Sequence, residues 1–410
     1  MMTMLCQFTF SNFKSYRDEV TLDFCPANIS EHPETLIVDK TDNTKYLPVA
    51  AIYGPNGGGK SNVIEAFLFL RKTVLTQPRL DENEFPIDKT QTVRSHTTTN
   101  KHFMFNNSGA VLPTSFEVIF RVKGYEFKYI LKIKAGLVFE ENLYATDIKG
   151  DIVSLVFERS KDNIELGDSL SGAQAESINP AMPLIQFLAA TYDYDIPKDV
   201  VSWFKATYVI NYGNPRYENA IFFPDTEDVK KLFFGILNEM DINISDIRID
   251  KDEDGKITNI QTEYKVLGGN YYLNYDQESA GTQKLLSFLM LPLNALKKGS
   301  VLFVDELDAK LHPKMLEYII KLFTDPSVNK NGAQLVITSH DIYTMNNVIF
   351  RRDEIWFAAR SNDLSSRLYS LSDFKKGDKK ARKDENYGKQ YIEGRYGADP
   401  YLKKIVEWEV

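Results

Sequence analysis

The stretch Ala-Ile-Tyr-Gly-Pro-Asn-Gly-Gly-Gly-Lys-Ser-Asn-Val-Ile-Glu, residues 51–65, decides how the rest of the chain is interpreted. The phosphate-binding pattern G-x-x-x-x-G-K-[ST] has all its fixed positions filled, by Gly54, Gly59, Lys60 and Ser61. Its glycines let backbone N–H groups turn toward a polyphosphate along a path that a Cβ would obstruct. The apolar run at 49–53 predicts a buried strand before the loop, and the apolar spacing at 62–71 predicts a helix after it.

This strand, loop and helix predict a nucleoside triphosphate site. The free N–H groups at the start of the helix carry partial positive charge where the phosphates would lie. Lys60 would reach the β- and γ-phosphates, and the Ser61 hydroxyl would bind Mg²⁺. A glycine-rich turn without a ligand is the alternative, which the flanking strand and helix disfavour. The loop residues expected at the nucleotide are Gly54, Asn56, Gly57, Gly58, Gly59, Lys60, Ser61 and Asn62.

Length, charge and cysteine content restrict the class of protein. With 410 residues, the chain is long enough for two or three compact units or for one large unit with insertions. A net charge of −8 provides no chain-wide attraction to nucleic acid or to an anionic membrane, so such contacts would need a local patch. Cys6 and Cys25 have no metal-ligand spacing and indicate a reducing compartment. Without a signal pattern or a run of 18 apolar residues, we expect a cytoplasmic protein that does not enter a membrane.

The first part of the chain predicts an antiparallel sheet lobe followed by helices. Alternating strands are expected at 4–10, 20–24, 115–120, 125–133 and 152–158. The polar residues 79–112 predict a long exposed segment. Helical apolar spacing occurs at 183–190, 200–208 and 229–240, and short strands return at 242–264.

The second half alternates strand and helix signals. Helices are expected at 280–296, where Pro292 should introduce a kink, and at 313–323. Buried strands are expected at 301–306, 334–338, 354–359 and 367–371. Strands that alternate with helices imply an α/β fold with a mainly parallel sheet, which binds its ligand at the carboxyl ends of the strands.

Three polar residues follow the buried strands and should meet the phosphate loop at that edge. Asp305 is placed to hold Mg²⁺ through water, and Glu306 projects differently and can take a proton from the attacking water. His340 fits a sensor of the γ-phosphate, with a satisfied polar strand end as the alternative. Catalytic roles are therefore predicted for Glu306, Lys60 and His340, and metal binding for Ser61 and Asp305.

A second anion site is predicted where the 280–296 helix begins. Ser279 offers its hydroxyl and Gly281 its backbone N–H, at a helix N-terminus with the same dipole as the first. One loop cannot easily bring both helix starts to one phosphate. We therefore expect a second subunit to contact the same triphosphate from the other side.

In their order along the chain, the phosphate loop, residues 278–283, residues 303–308 and His340 resemble the ABC-type ATPase heads of the Rad50, SMC and RecF group. The turn Asn12-Phe13-Lys14-Ser15 is similar to that group's turn beside the nucleotide, which implies a nucleotide contact for Lys14. Ser279-Ala280-Gly281 looks like a divergent signature motif, and Asp308 looks like the D-loop residue. The resemblance covers roughly residues 3–75 and 275–360 and implies an ABC-type P-loop ATPase head that hydrolyses ATP with Mg²⁺ and dimerises head to head.

The C-terminal region resembles a smaller group of proteins within these ATPases. Residues 371–374 and 386–398 resemble the small ATPases of bacterial anti-phage systems, the AbiL, Rlo and PARIS types related to the OLD proteins. No Asp-x-Asp carboxylate pair follows His340, so the resemblance implies a separately encoded effector, expected to be a nuclease. A RecF-like DNA-repair ATPase and a slow nucleotide-locked scaffold are the alternatives. Gln186 and Gln77 are both weak candidates for the Q-loop glutamine of the family.

We predict four regions: a head lobe with the phosphate loop and the antiparallel β sheet at 1–165, a helical insertion at 166–240, a head lobe with the signature, Walker B and His switch at 241–372, and a C-terminal extension at 373–410. Segment 166–240 shows no sustained heptads, so no SMC or Rad50 arm is expected. A basic run occupies 375–383. A solvated tail, a nucleic-acid contact and a surface for an acidic partner are left open for this run.

Overall fold

The computed structural model describes residues 3–76, 101–105, 109–161, 163–175, 178–212, 224, 226–254, 257–376 and 379–398. Its strands, in chain order, are Met4–Ser11 (β1), Val20–Asp23 (β2), Ile37–Val38 (β3), Lys45–Tyr46 (β4), Val49–Tyr53 (β5), Thr114–Val122 (β6), Tyr125–Lys134 (β7), Leu137–Asp147 (β8), Ile152–Ser160 (β9), Ile164–Leu166 (β10), Tyr208–Asn211 (β11), Ile244–Lys251 (β12), Ile257–Val266 (β13), Gly269–Asn274 (β14), Val301–Asp305 (β15), Gln334–Thr338 (β16), Ile355–Arg360 (β17), Ser366–Ser370 (β18), Lys375–Lys376 (β19) and Lys379–Lys380 (β20). Its α-helices are Lys60–Val74 (α1), Leu184–Thr191 (α2), Asp195–Ala206 (α3), Glu227–Glu239 (α4), Ala280–Phe288 (α5), Met290–Lys298 (α6), Pro313–Thr324 (α7) and Tyr387–Ile392 (α8).

The central sheet has the order β11-β15-β16-β5-β17-β18 and is parallel except for the β17–β18 pair. Every residue of β5, β15 and β16 is buried, because each strand is covered on both faces. Successive residues point to opposite cores, as a period of two requires: Phe303 faces the core that holds α1, whereas Leu302 and Val304 face the core around α7. The ring of Phe303 stacks on Phe67 of α1 at 4.2 Å between centroids. The predicted α/β fold with a mainly parallel sheet is confirmed.

A second, antiparallel sheet has the order β10-β9-β8-β7-β6-β1-β2. The predicted antiparallel lobe is therefore confirmed, but the sequence analysis missed β8. Its Glu141 interrupts the apolar alternation and is nevertheless fully buried. The Glu141 carboxylate accepts hydrogen bonds from the Tyr129 hydroxyl and from the N–H groups of Leu184 and Ile185, so it caps the start of α2.

The segment predicted to be exposed at 79–112 is only partly described, since residues 77–100 and 106–108 lie outside the described ranges. The prediction is wrong for Phe103, whose side chain is buried. Asn12 holds this part of the chain against the N-terminal turn. Its side-chain amide donates to the carbonyls of Gly109 and Leu112, and its Oδ1 accepts from the Phe103 N–H.

Segment 166–240 contains the predicted helices as α2, α3 and α4, but it is not wholly helical. Within it, β11 pairs in parallel with β15 and forms one edge of the central sheet. The predicted strands at 242–264 are confirmed as part of the three-stranded sheet β12-β13-β14. The position of β11 matters for function, because it brings Asn211 level with Asp305.

The helix predicted at 280–296 is divided into α5 and α6 at Leu289. Pro292 has no N–H to pair with the carbonyl of residue 288, which is the physical reason for the predicted kink. The other predicted elements of the second half are confirmed within a residue or two at each end. Among the described residues, no helix combines the length and the apolarity needed to cross a membrane.

Candidate functional site

The phosphate loop connects β5 to α1 and lies directly against β17. A Cβ on Gly54 would come within 2.2 Å of the Ala358 carbonyl oxygen, and one on Gly58 within 2.6 Å of the same atom. Gly59 precedes α1 with φ 109°, a conformation that favours glycine, and no side chain caps the helix there. The first N–H groups of α1 are thus left free of a side-chain cap, as an anion site requires.

Lys60 begins α1 and is only 6% exposed. Its ammonium donates to the backbone carbonyls of Gly54 at 2.8 Å and Pro55 at 3.2 Å, inside the loop itself. Burial lowers the pKa of Lys60 to about 8, although the nearby carboxylate of Asp305 opposes the shift. A buried cation beside an uncapped helix N-terminus makes this cradle complementary to a phosphate chain.

Asp305 ends β15 and is 3% exposed. Its Oδ1 accepts from the Thr338 hydroxyl at 2.6 Å, and its Oδ2 accepts from the Asn211 side-chain amide at 3.1 Å. The nearby Ser61 hydroxyl favours the charged carboxylate and acts to lower its pKa. Burial raises the pKa of Asp305 despite these donors. The structure thus brings together Ser61 and Asp305, the two residues predicted to bind the metal.

Glu306 follows at the point where the chain leaves β15. Its φ of 55° reverses the backbone, so its side chain departs from the alternation of the strand. The Glu306 N–H donates to the Thr338 Oγ1 at 2.8 Å. Thr338, at the end of β16, therefore contacts both Asp305 and Glu306 and sets their relative position.

His340 lies two residues beyond β16, at the same edge of the sheet. The backbone N–H of His340 donates to Asp308 Oδ2 at 3.1 Å. Burial and the neighbouring ammonium of Lys60 lower the pKa of His340, so its ring is neutral at neutral pH. Asp308 Oδ1 is buried and has no hydrogen-bond partner among the described residues.

The predicted signature residues lie at the start of α5. Ser279 is exposed and caps the helix, because its Oγ accepts from the Thr282 N–H at 3.1 Å. A Cβ on Gly281 would come within 3.1 Å of the Lys310 carbonyl oxygen, which places this turn beside the loop after β15. Within the described ranges, no hydrogen bond or ion pair connects Ser279 or Gly281 to Lys60 or its loop.

The N-terminal turn contacts the phosphate loop through Ser15. The Ser15 Oγ accepts from the Asn62 side-chain amide and from the Ser366 hydroxyl, each at 2.7 Å. Lys14 instead forms an ion pair with Glu65 of α1. The structure therefore places Lys14 one helical turn from the loop residues, and it shows Asn62 engaged by Ser15.

Sequence reasoning missed Asn211, Thr338 and Ser366, and within the 12–15 turn it assigned the contact to Lys14 and not to Ser15. Asn211 ends β11, and its Oδ1 is buried without a partner in the described part of the chain. Gln186, a candidate for the Q-loop, is buried in α2, and Gln77, the other candidate, lies outside the described residues. The β-branched pair Val209-Ile210 precedes Asn211 just after the helix predicted at 200–208, and two residues were too short a run to predict a strand.

Within the basic run at 375–383, β19 and β20 pair antiparallel, and residues 377–378 lie outside the described part. Arg382 pairs with Asp384 at 2.9 Å. The three uses that the sequence leaves open for this run stay predictions.

Comparison with known proteins identifies the family. Residues 49–346 match the AAA domain family described as putative AbiEii toxin, Type IV TA system. No curated protein matches the chain. A solved structure described as the dimeric structure of MJ0796, a bacterial ABC transporter cassette, aligns at 12% identity with a TM-score of 0.32, over 90% of this chain and 100% of that one. The family match runs from β5 to the loop beyond His340 and spans more than half of the sequence, so the chain carries an AAA-type ATPase domain and belongs to the AAA domain family described as putative AbiEii toxin, Type IV TA system.

Proposed function

We propose that this chain binds ATP together with Mg²⁺ at the carboxyl edge of its central sheet and hydrolyses the bond between the β- and γ-phosphates. One observation carries the proposal. The buried ammonium of Lys60 lies beside the uncapped start of α1, and the negative charges of Asp305, Asp308 and Glu306 oppose the lowering of its pKa by burial. A cation, a free helix N-terminus and strand-end carboxylates are the groups that phosphoryl transfer requires.

The loop suits a triphosphate chain. The Lys60 ammonium now donates to carbonyls of its own loop, which are weaker partners than phosphate oxygens. Gly57 and Gly59 both have positive φ values, which let the loop backbone turn its N–H groups inward. Lys60 and these N–H groups would hold the phosphates in position.

Ser61, Asp305 and Asn211 fit a magnesium ion. Their hydroxyl, carboxylate and amide oxygens are the hard ligands that Mg²⁺ prefers. The partnerless Oδ1 of Asn211, buried beside Asp305, is the observation that supports this fit. Bound Mg²⁺ would neutralise charge on the phosphate oxygens.

Glu306 is the proposed general base, because its reversed backbone turns the carboxylate away from the buried end of β15. His340 is neutral and is proposed to donate a hydrogen bond to the γ-phosphate in the same subunit. Both residues belong to loops that Thr338 and Asp308 hold together. Hydrolysis in this scheme is an in-line attack by water.

Ser279, Gly281 and Asp308 are proposed to act across a head-to-head dimer. Ser279 is exposed, and among the described residues no hydrogen bond or ion pair joins its helix start to the phosphate loop of its own chain. A two-fold symmetric pairing would present this helix start to the nucleotide of the partner. Each site would then be complete only in the dimer.

The test uses Glu306→Gln, which should bind ATP without hydrolysing it. Light scattering after chromatography should show the mass rising from 47.0 kDa to twice that value when ATP and Mg²⁺ are added. Adding Ser279→Arg should abolish the mass change and leave ATP binding intact, and Glu239→Gln, an exposed matched change, should leave hydrolysis unchanged. A mass that is indifferent to nucleotide contradicts the dimer, and full hydrolysis by Glu306→Gln contradicts the base.

We further propose that the chain is the cytoplasmic sensor or regulatory ATPase of an anti-phage, abortive-infection system of the OLD-like group, and that it controls a separately encoded effector nuclease. Two findings support this role: the resemblance of residues 371–374 and 386–398, and the family description, which names a toxin of a toxin–antitoxin system. The experiment is co-expression with the product of the adjacent reading frame, pull-down, and phage challenge with Lys60→Ala as the inactive variant. Unchanged protection by Lys60→Ala, or growth arrest caused by this chain alone, would contradict the role.

A further inference from the structure

Three neighbouring strands of the central sheet are each entered from a loop that carries exposed lysine. Lys297 and Lys298 end α6 just before β15, Lys330 precedes β16, and Lys40 lies in the turn between β3 and β4 that leads into β5. Since β15, β16 and β5 are adjacent and parallel, their entering loops lie side by side. The four lysines surround a hollow of about 380 Å³, with Arg121 in its wall.

The acidic residues beside this hollow all bond to one guanidinium, that of Arg121, and exceed its charge by two. Arg121 donates to Asp39 at 3.0 Å, to Asp42 at 2.9 Å and to Glu126 at 2.9 Å. Lys298 has a neutral partner, the Tyr208 hydroxyl at 3.2 Å.

Among the residues that the structure describes, the other three lysines have no carboxylate partner. In the described ranges, no carboxylate lies within salt-bridge distance of the ammonium groups of Lys40, Lys297 and Lys330, whereas Lys123, Lys128 and Lys132 are all paired. The four lysines outnumber the two excess negative charges around Arg121, so this region stays positive on a chain whose net charge is −8.

This lysine patch, Lys40, Lys297, Lys298 and Lys330, is separate from the nucleotide site. It lies at the amino ends of the parallel strands, whereas Lys60, Asp305 and His340 lie at their carboxyl ends. A ligand on the patch would not compete with the triphosphate. The contact would also be independent of the basic run at 375–383.

We propose that the lysine patch binds the phosphate backbone of duplex nucleic acid. Adjacent strands are roughly 4.8 Å apart, so three entering loops span about 10 Å. A nucleic-acid strand carries one phosphate per roughly 3.4 Å of helix axis, so about three consecutive phosphates fit the patch. Three uncompensated lysines match that number.

The residues that line the hollow favour duplex nucleic acid over an acidic protein surface or a single-stranded nucleic acid. Ile148 is the one hydrophobic side chain among the described lining residues, whereas a protein interface needs an apolar core. No aromatic side chain of the described chain lines the hollow, and single strands are usually held by stacking on such rings. Contacts to phosphate alone imply binding without sequence preference.

The experiment measures binding of the full chain to a fluorescein-labelled 30-base-pair DNA duplex by anisotropy, between 50 and 200 mM NaCl. The test variant reverses the charge of three patch lysines, Lys40→Glu, Lys297→Glu and Lys330→Glu. The control makes the same charge change at exposed lysines elsewhere, Lys161→Glu, Lys231→Glu and Lys265→Glu. Circular dichroism melting confirms that both variants are folded.

Wild-type and control proteins should bind the duplex alike, and the patch variant should bind at least tenfold more weakly at 50 mM NaCl. The slope of log K against log salt should become shallower by about 2.7, since each neutralised phosphate contributes roughly 0.9. Three results would overturn the proposal: an equal loss in the control, no wild-type binding at 50 mM NaCl, or tighter binding of single-stranded DNA or poly-glutamate than of duplex. ATP hydrolysis is measured separately, so this outcome does not depend on the proposed reaction.

Discussion

Thr338 connects the two carboxylate residues of the site, and its replacement by valine tests whether their placement controls activity. The Thr338 side chain is fully buried. Its hydroxyl donates to Asp305 Oδ1 at 2.6 Å and accepts from the Glu306 N–H at 2.8 Å. Valine keeps the branched shape and removes both hydrogen bonds, so the change is electrostatic rather than steric.

The expected cost follows from these two contacts. A hydrogen bond to a charged group contributes about 1.5–3 kcal/mol, and a buried N–H left without a partner costs about 1–3 kcal/mol. We expect Thr338→Val to lose about 3 kcal/mol of folding stability and, because Asp305 and Glu306 are no longer positioned, roughly 100-fold in ATP hydrolysis. The lost bond also raises the pKa of Asp305 further, so the loss of residual activity on acidification should begin at a higher pH than in the wild type.

The assay is phosphate release at saturating Mg²⁺ and ATP, measured between pH 6 and 8.5, together with thermal melting. Thr338→Ser keeps the hydroxyl and should retain activity within a fewfold of wild type, which separates the hydrogen bonds from the lost methyl group. A valine variant with wild-type turnover and an unchanged melting temperature would refute the positioning role of Thr338.

Three further predictions concern pH and close packing. Because the pKa of Lys60 is lowered to about 8, ATP affinity should fall as pH rises above 8, with the slope of log Kd approaching one per pH unit, and Lys60→Arg should flatten this dependence in a fluorescent-nucleotide titration. Glu354 is buried, and burial raises its pKa to about 8, so the folded state holds a proton that the unfolded state releases above its ordinary pKa of 4.5. Stability should therefore fall by about 1.4 kcal/mol per pH unit between roughly pH 5 and 8. The melting temperature of Glu354→Gln, measured across this range, should lack this pH dependence. A Cβ on Gly388 would come within 2.6 Å of the Ile342 carbonyl, so Gly388→Ala should lower the melting temperature by several degrees, at a cost of about 1–3 kcal/mol. The matched change Gly235→Ala, in a helix with open space around it, should have a neutral or slightly stabilising effect, and equal losses in both variants would contradict the packing argument.

Local patterns predicted most of the elements because the forces behind them act within a few residues. The strand, glycine loop and helix at 49–74 follow from periodicity and from a contiguous motif. The failures occurred where distant contacts outweighed local preference. In β8, the buried Glu141 is stabilised by the start of α2, which lies more than 40 residues away. Strand β11 is only four residues long, and it is a strand because β15 provides its hydrogen bonds.

The residues of the candidate site also separate into those that local sequence predicts and those that depend on distant contacts. Lys60, Ser61, Asp305 and Glu306 could be predicted because each belongs to a recognisable segment. Asn211 could not, since nothing in its own neighbourhood indicates that it ends beside Asp305. That contact depends on strand order and register, which local periodicity does not encode.

By itself, the sequence determined that this chain has a phosphate loop, an α/β sheet with strand-end carboxylates and a histidine beyond a buried strand, because each of these is written in consecutive residues. Tertiary structure alone decided that Asn211 and Thr338 hold Asp305, that Ser15 rather than Lys14 contacts the loop, and that lysines from three loops form one patch. The physical reason is that a parallel sheet brings the ends of its strands together in an order set by packing, so residues far apart in the chain become neighbours.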